Sequence, residues 1–197
     1  MMHSVVVAAL AGTALVGTIG LAGSRAPEPR GDHRPALEAA AAAVPQAARL
    51  DDATIVAIFD AANTADIETG RLAEERGASK EVRALGASLA RDHHAVRQQA
   101  RDLAKKLGVT PTPPSPNPYA EAHARAMASL SAKSGAEFDR ALLDHEIAFH
   151  EAVLTAVKET LLPAISNAEV RAFVVKIAPA FQAHLDMTRA MKRQLGH

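Results

Sequence analysis

Residues 51–108 read DDATIVAIFDAANTADIETGRLAEERGASKEVRALGASLARDHHAVRQQARDLAKKLG, and this stretch decides the fold. Two segments with apolar residues at helical spacing meet at one short punctuation, Gly77-Ala78-Ser79. Leu50, Asp51 and Ile55 fit the positions before, at and four after a helix start, where a carboxylate caps the first turn and an apolar pair closes around it. A helix is therefore predicted from about Asp52 to Arg76, with Gly77 as its left-handed end and Ser79 as the next cap. The second helix carries Val82, Leu85, Leu89, Val96, Leu103 and Leu107 on one stripe and stops at Gly108. With so short a connection, the two helices must be antiparallel neighbours.

Working outward, TPTPPSPNP at 110–118 is too rich in proline for a helix or a central strand and predicts an extended strap. Nine such residues reach roughly 28 Å, most of the length of the second helix, and a short helix from about Ala120 to Leu130 completes the return. Ser134 to Glu137 has the S-x-x-E form of a capping box and starts a third long helix, with Phe138, Leu142, Phe149, Val153 and Val157 inward and an end near Leu162. Ser166 to Glu169 repeats the form and starts a fourth, with Phe173, Ile177, Phe181, Met191 and Leu195 inward and a kink at Pro179. The fold class predicted is all-α: a four-helix bundle with a proline-rich crossover between its second and third long helices.

Composition agrees and narrows the function. Aromatic residues are 3% with no Trp, which suits close helix packing better than a sheet. Lys plus Arg equals Asp plus Glu at 22 each, so no excess charge recommends nucleic acid as a partner. With no Cys, disulfides, thiolate metal sites and cysteine nucleophiles are excluded, and any metal must use histidine and carboxylate. The sequence contains no phosphate-cradling glycine loop, nucleophile elbow or HExxH motif, and no catalytic residue is assigned.

Ser4 to Ser24 is uncharged and apolar and ends in small residues, as a signal segment does; cleavage after Ala22 or Ser24 fits. The run is also long enough for an uncleaved membrane anchor. The organisation expected is thus a signal peptide or anchor over 1–24, a proline- and alanine-rich tether over 25–50, and one helical domain over 51–197. Localisation follows: periplasmic or cell-envelope, secreted or tethered through residues 4–24, with an envelope protein as the open choice of partner.

A bundle seam should be apolar, so polar residues on it are informative. His93 lies about 40° round from Leu89 and Asp92 about 60° to the other side, at about 100° per residue. His184 is seven residues from both Ile177 and Met191. Glu146 and His150 are one turn apart between Leu142 and Val153, with His145 close to the same stripe. Glu68, three after Ala65 and four before Leu72, borders the seam of the first helix. Ligands from four facing helices can converge on one ion, and imidazole with carboxylate suits Zn, Cu, Fe or Mn. A seam histidine can equally be satisfied by a neighbouring carboxylate and fix register without a metal.

The stretches 61–99, 135–154 and 162–191 resemble a family of exported bacterial proteins, the domain of unknown function numbered 4142, whose fold is a ferritin-like bundle. The residues that carry the resemblance are Glu68, Asp92 with His93, His150, and Pro179 with His184. The resemblance implies export and fold rather than an activity. The chain departs from the carboxylate-bridged di-iron pattern, since its second and fourth helices lack Glu-x-x-His and its third has Glu146-x-x-x-His150. Three functions follow: a metal-binding module using Glu68, Asp92, His93, Glu146, His150 and His184; an interaction or structural protein without metal; and a di-metal oxidase, disfavoured by its few inward glutamates.

Overall fold

A computed structural model describes residues 50–115 and 117–196. The signal or anchor at 1–24 and the tether at 25–50, except Leu50, fall outside the described residues, as do His3, His33 and His197. The described residues are all-helical, with no strand among them.

The first two helices have the expected bounds, α1 at Asp52–Arg76 and α2 at Lys80–Leu107. Asp51 caps α1 by accepting from the Thr54 amide, and Ser79 caps α2 by accepting from Val82. Leu50 packs against the apolar cluster that contains Ile55, as the staple requires. Gly77 is not left-handed, with φ −53 and ψ 130. It is required for space, because a Cβ there would stand 2.7 Å from the Ala73 carbonyl oxygen. Further along, α1 and α2 cross backbone to backbone at Gly70 and Gly86; a Cβ on Gly86 would meet the Gly70 carbonyl at 2.4 Å.

The strap after α2 lies against the first turn of α1, where the Thr112 amide donates to the Ala53 carbonyl at 3.3 Å. It therefore does less of the lengthwise return than its extended reach allows. The return belongs to α3, Pro118–Ser131, which runs beside α1 and parallel to it. His123 meets Glu68 midway, and Arg76 closes the far end with bonds to the Ser131 and Lys133 carbonyls at 2.8 and 2.9 Å.

Helix α4, Gly135–Ala156, is anchored at the α1–α2 turn, where the buried Asp139 accepts the Ala78 and Ser79 amides at 2.8 and 2.9 Å. Neither predicted capping box forms. Ser134 makes no side-chain cap bond, and the Glu137 carboxylate that would complete the box pairs with Lys133 at 2.6 Å. At the last helix, α5, Ala168–Gln194, Asn167 is the cap, and the Ser166 hydroxyl donates to Asp52. Between them α4 continues through a π turn, Val157–Leu161, into a short turn containing Pro163. Pro163 has no N–H for the Glu159 carbonyl, and the ladder shifts so that the Leu162 amide bonds to Val157. Helix α5 runs unbroken through Pro179.

Contacts between helix ends set the directions. Arg101 of α2 pairs with Asp60 of α1, Lys106 of α2 with Glu169 of α5, and Lys192 at the end of α5 with Asp144 in the first half of α4. Thus α1 and α5 point one way and α2 and α4 the other, with one lengthwise crossover between α2 and α4. The core is two apolar clusters. One gathers Ile55, Phe59, Val157, Ile165, Val174 and Ile177, and the other Ala73, Leu85, Leu89, Phe138, Leu142 and Leu143. A polar layer lies between them.

Candidate metal centre

The polar layer is sealed: His93, Asp66 and Glu146 are 1% exposed, His150 0% and His184 8%. Helix α1 supplies Asn63 and Asp66, α2 supplies His93, α4 supplies Glu146 and His150, and α5 supplies His184. Phe181 closes one side, its ring 5.1 Å from that of His93 and 6.1 Å from that of His150.

Hydrogen bonding fixes which nitrogen of each imidazole carries a proton. Asn63 gives its amide N–H to the Phe59 carbonyl at 2.8 Å, so its oxygen faces His93 Nδ1 at 2.9 Å and accepts from it. His150 Nδ1 donates to the backbone carbonyl of Glu146 at 2.9 Å. His184 Nε2 faces Asp92 Oδ2 at 3.3 Å and donates to it. The nitrogens left for a ligand are His93 Nε2, His150 Nε2 and His184 Nδ1. Ligand atoms of these three residues lie within 4.8 Å of one another. His93 Nε2 and His184 Nδ1 are 3.1 Å apart, within the roughly 3.0–3.4 Å that separates two nitrogens held about 2.1 Å from one ion.

Burial sets the charge states. It holds His93 down to about 2, helped by repulsion from His150 and His184. It holds His150 down to about 4, against the pull of the Glu146 carbonyl. Imidazoles kept neutral are in the form that ligates. At the rim, burial opposes ionisation of Asp92, but hydrogen bonds from Arg91 and His184 hold its carboxyl below the ordinary value.

The carboxylates Asp66 and Glu146 make a second group with His150, their ligand atoms within 4.8 Å of each other. Outside the pair itself, where the carboxyl of Asp66 faces that of Glu146, none of their four oxygens has a hydrogen-bond partner, nor does His150 Nε2. Asp66 Oδ2 is 3.3 Å from His93 Nδ1 but out of line with an N–H directed at Asn63. Thr69, beside Glu146, directs its hydroxyl to the Ala65 carbonyl at 3.0 Å. Burial pushes Glu146 up to about 7, against the pull of Thr69 and Asp66, and burial together with Glu146 pushes Asp66 well above the carboxylate range. An unsatisfied buried polar group costs about 1–3 kcal/mol, and a charged one more. A cation in this layer removes that cost.

The match of the family model for the domain of unknown function DUF4142 covers residues 36–191. The chain belongs to the DUF4142 family. No curated protein and no solved structure matches it.

In this DUF4142 domain, four of the predicted ligands, His93, Glu146, His150 and His184, meet in the buried layer. Asp92 sits at the rim with 38% of its side chain exposed, its Oδ2 3.3 Å from His184 Nε2. Glu68 is not in the site. Its side chain is 50% exposed and pairs with His123 Nε2 at 2.7 Å. His145 is outside the cluster, against Phe149 and near His123. Asp144 and Glu151 lie on the surface, paired with Lys192 and Arg189. The acidic residue of α1 that belongs to the site is Asp66. Its signal is in the sequence: Ile55, Phe59, Ala62, Asp66, Thr69 and Ala73 recur at spacings of four and three.

Proposed function

We propose that this DUF4142 protein is an exported, ferritin-like helical module that holds a transition-metal ion among His93, His150 and His184. One observation carries the metal reading. Each of the three buried imidazoles gives its outer N–H to a fixed acceptor, the Asn63 amide, the Glu146 carbonyl or the Asp92 carboxylate, and turns its free nitrogen toward the others. Ligating histidines are oriented in this way, and the acceptor fixes both tautomer and ring. The ferritin-like reading is supported by two antiparallel helix pairs joined by one lengthwise crossover, with ligands projecting inward. Export is supported by the uncharged apolar run from Ser4 to Ser24.

The competing reading is an envelope interaction protein with a hydrogen-bonded core. The 3.1 Å His93–His184 contact favours it, but a hydrogen bond there gives up the one to Asn63 or to Asp92, and His150 Nε2 is still left without a partner. Elemental analysis of the full chain after equilibrium dialysis against Zn(II), Fe(II), Mn(II) and Cu(II) separates the two. Bound metal in the native chain that is absent from a His93→Ala, His150→Ala, His184→Ala variant supports the metal module. A native chain that retains none of the four ions overturns it.

A further inference from the structure

We infer that the centre takes a single divalent cation, held by the three imidazoles together with Asp66 and Glu146. This rests on the metal reading above and adds the number of ions, their charge and the oxygen ligands.

The two donor groups share His150 but do not form one set within 4.8 Å, so Asp66 and Glu146 reach an ion held by the imidazoles by turning their side chains toward it. With Nδ1–H bonded to the Glu146 carbonyl, His150 has one lone pair to give, on Nε2, and that lone pair serves one ion. A second ion would be left with two carboxylates already drawn on by the first. The carboxylates are also unlike the domain's other buried acid. Both oxygens of Asp139 accept backbone amides, whereas Asp66 and Glu146, each 1% exposed, accept no backbone amide and face only each other. Three nitrogens and one or two oxygens are a donor set for Zn(II), Fe(II), Co(II) or Mn(II) rather than for Cu(I).

The test is anaerobic equilibrium dialysis of the full chain and an Asp66→Asn, Glu146→Gln variant against Zn(II), Fe(II) and Cu(I). One Zn(II) or Fe(II) per native chain is expected. The variant should lose at least roughly 100-fold in affinity for both, with Cu(I) affinity changed by less than about threefold. Two ions per chain, unchanged divalent affinity in the variant, or an equal loss of Cu(I) would each overturn the inference while leaving a metal site in place. No bound ion at all removes the metal reading and this inference with it. X-ray absorption of the zinc-loaded native chain gives the answer without a variant. Three imidazoles with added oxygen ligands support the inference, and an all-nitrogen shell or a metal neighbour contradicts it.

Discussion

His93 Nε2 and His184 Nδ1 stand 3.1 Å apart in the sealed layer, contributed by antiparallel helices, and each turns a bare lone pair toward the other because the second nitrogen of its ring donates outward. An ion between them takes up both lone pairs, while His184 keeps its orientation through Asp92. Asp92→Asn should therefore weaken metal binding about 10–100-fold while leaving the fold intact, because such orienting partners typically contribute that much. Competition against a chromogenic chelator reads the affinity. Native affinity in this variant would mean that His184 is held by packing alone.

Glu68→Ala is the matching control. Its partner His123 is on α3, and half of the Glu68 side chain is in solvent. Stability should change by less than about 1 kcal/mol, as for exposed pairs, and metal affinity should not change. A large loss of metal in this variant would place the α1 ligand at Glu68 rather than Asp66.

The carboxyl pair gives the metal-stripped domain a signed pH dependence. Glu146, raised from 4.5 to about 7 by burial, adds stability that is complete below 4.5 and is lost as pH rises through 7. His150, lowered from 6.5 to about 4, acts in the opposite sense, adding stability above 6.5 that is lost as pH falls toward 4. In Glu146→Gln the part of the first slope due to Glu146 disappears, while that of Asp66, raised mainly by burial, and the opposing slope of His150 remain. The variant should gain on the native chain between pH 5 and pH 8 by on the order of 3 kcal/mol. Urea unfolding at the two pH values measures it, and a difference independent of pH would show that Glu146 titrates normally.

Gly86→Ala tests the frame that positions the site. Its Cβ would fall 2.4 Å from the Gly70 carbonyl oxygen and 2.6 Å from the Glu74 amide nitrogen, both backbone atoms. Parting α1 from α2 there should cost about 3 kcal/mol, the upper range for overpacking, read as a lower unfolding midpoint. A stability within about 0.5 kcal/mol of native would mean that the helices cross elsewhere.

Much of this arrangement was legible because strong local signals agree with the tertiary structure. Asp51, Ser79 and Gly108 mark real helix ends, and the stripes through Leu89, Leu142 and Ile177 correctly turn His93, Glu146, His150 and His184 inward. Failures came where a distant residue outbids a local one. Ser134 and Ser166 have the S-x-x-E form, but Lys133 draws off Glu137 and Asp52 draws off the Ser166 hydroxyl. Glu68 was placed from Ala65 and the half-buried Leu72, which lie off the axis of the stripe, whereas Phe59, Asp66 and Ala73 define it. The π turn at 157–161 has no periodic signature, and its cause, Pro163, reads in sequence as a simple stop.

The central claim is that three inward imidazoles bind an ion, and thermal unfolding of the metal-stripped full chain with added Zn(II), Fe(II), Mn(II) or Cu(II) tests it most directly. Binding to the folded state alone stabilises it by about 2.7 kcal/mol at a free ion concentration 100 times the dissociation constant. The account predicts a melting temperature that rises and saturates with at least one of these ions, and no rise in the His93→Ala, His150→Ala, His184→Ala variant. A native chain whose melting temperature is indifferent to all four ions, or a variant that responds as the native chain does, would contradict it.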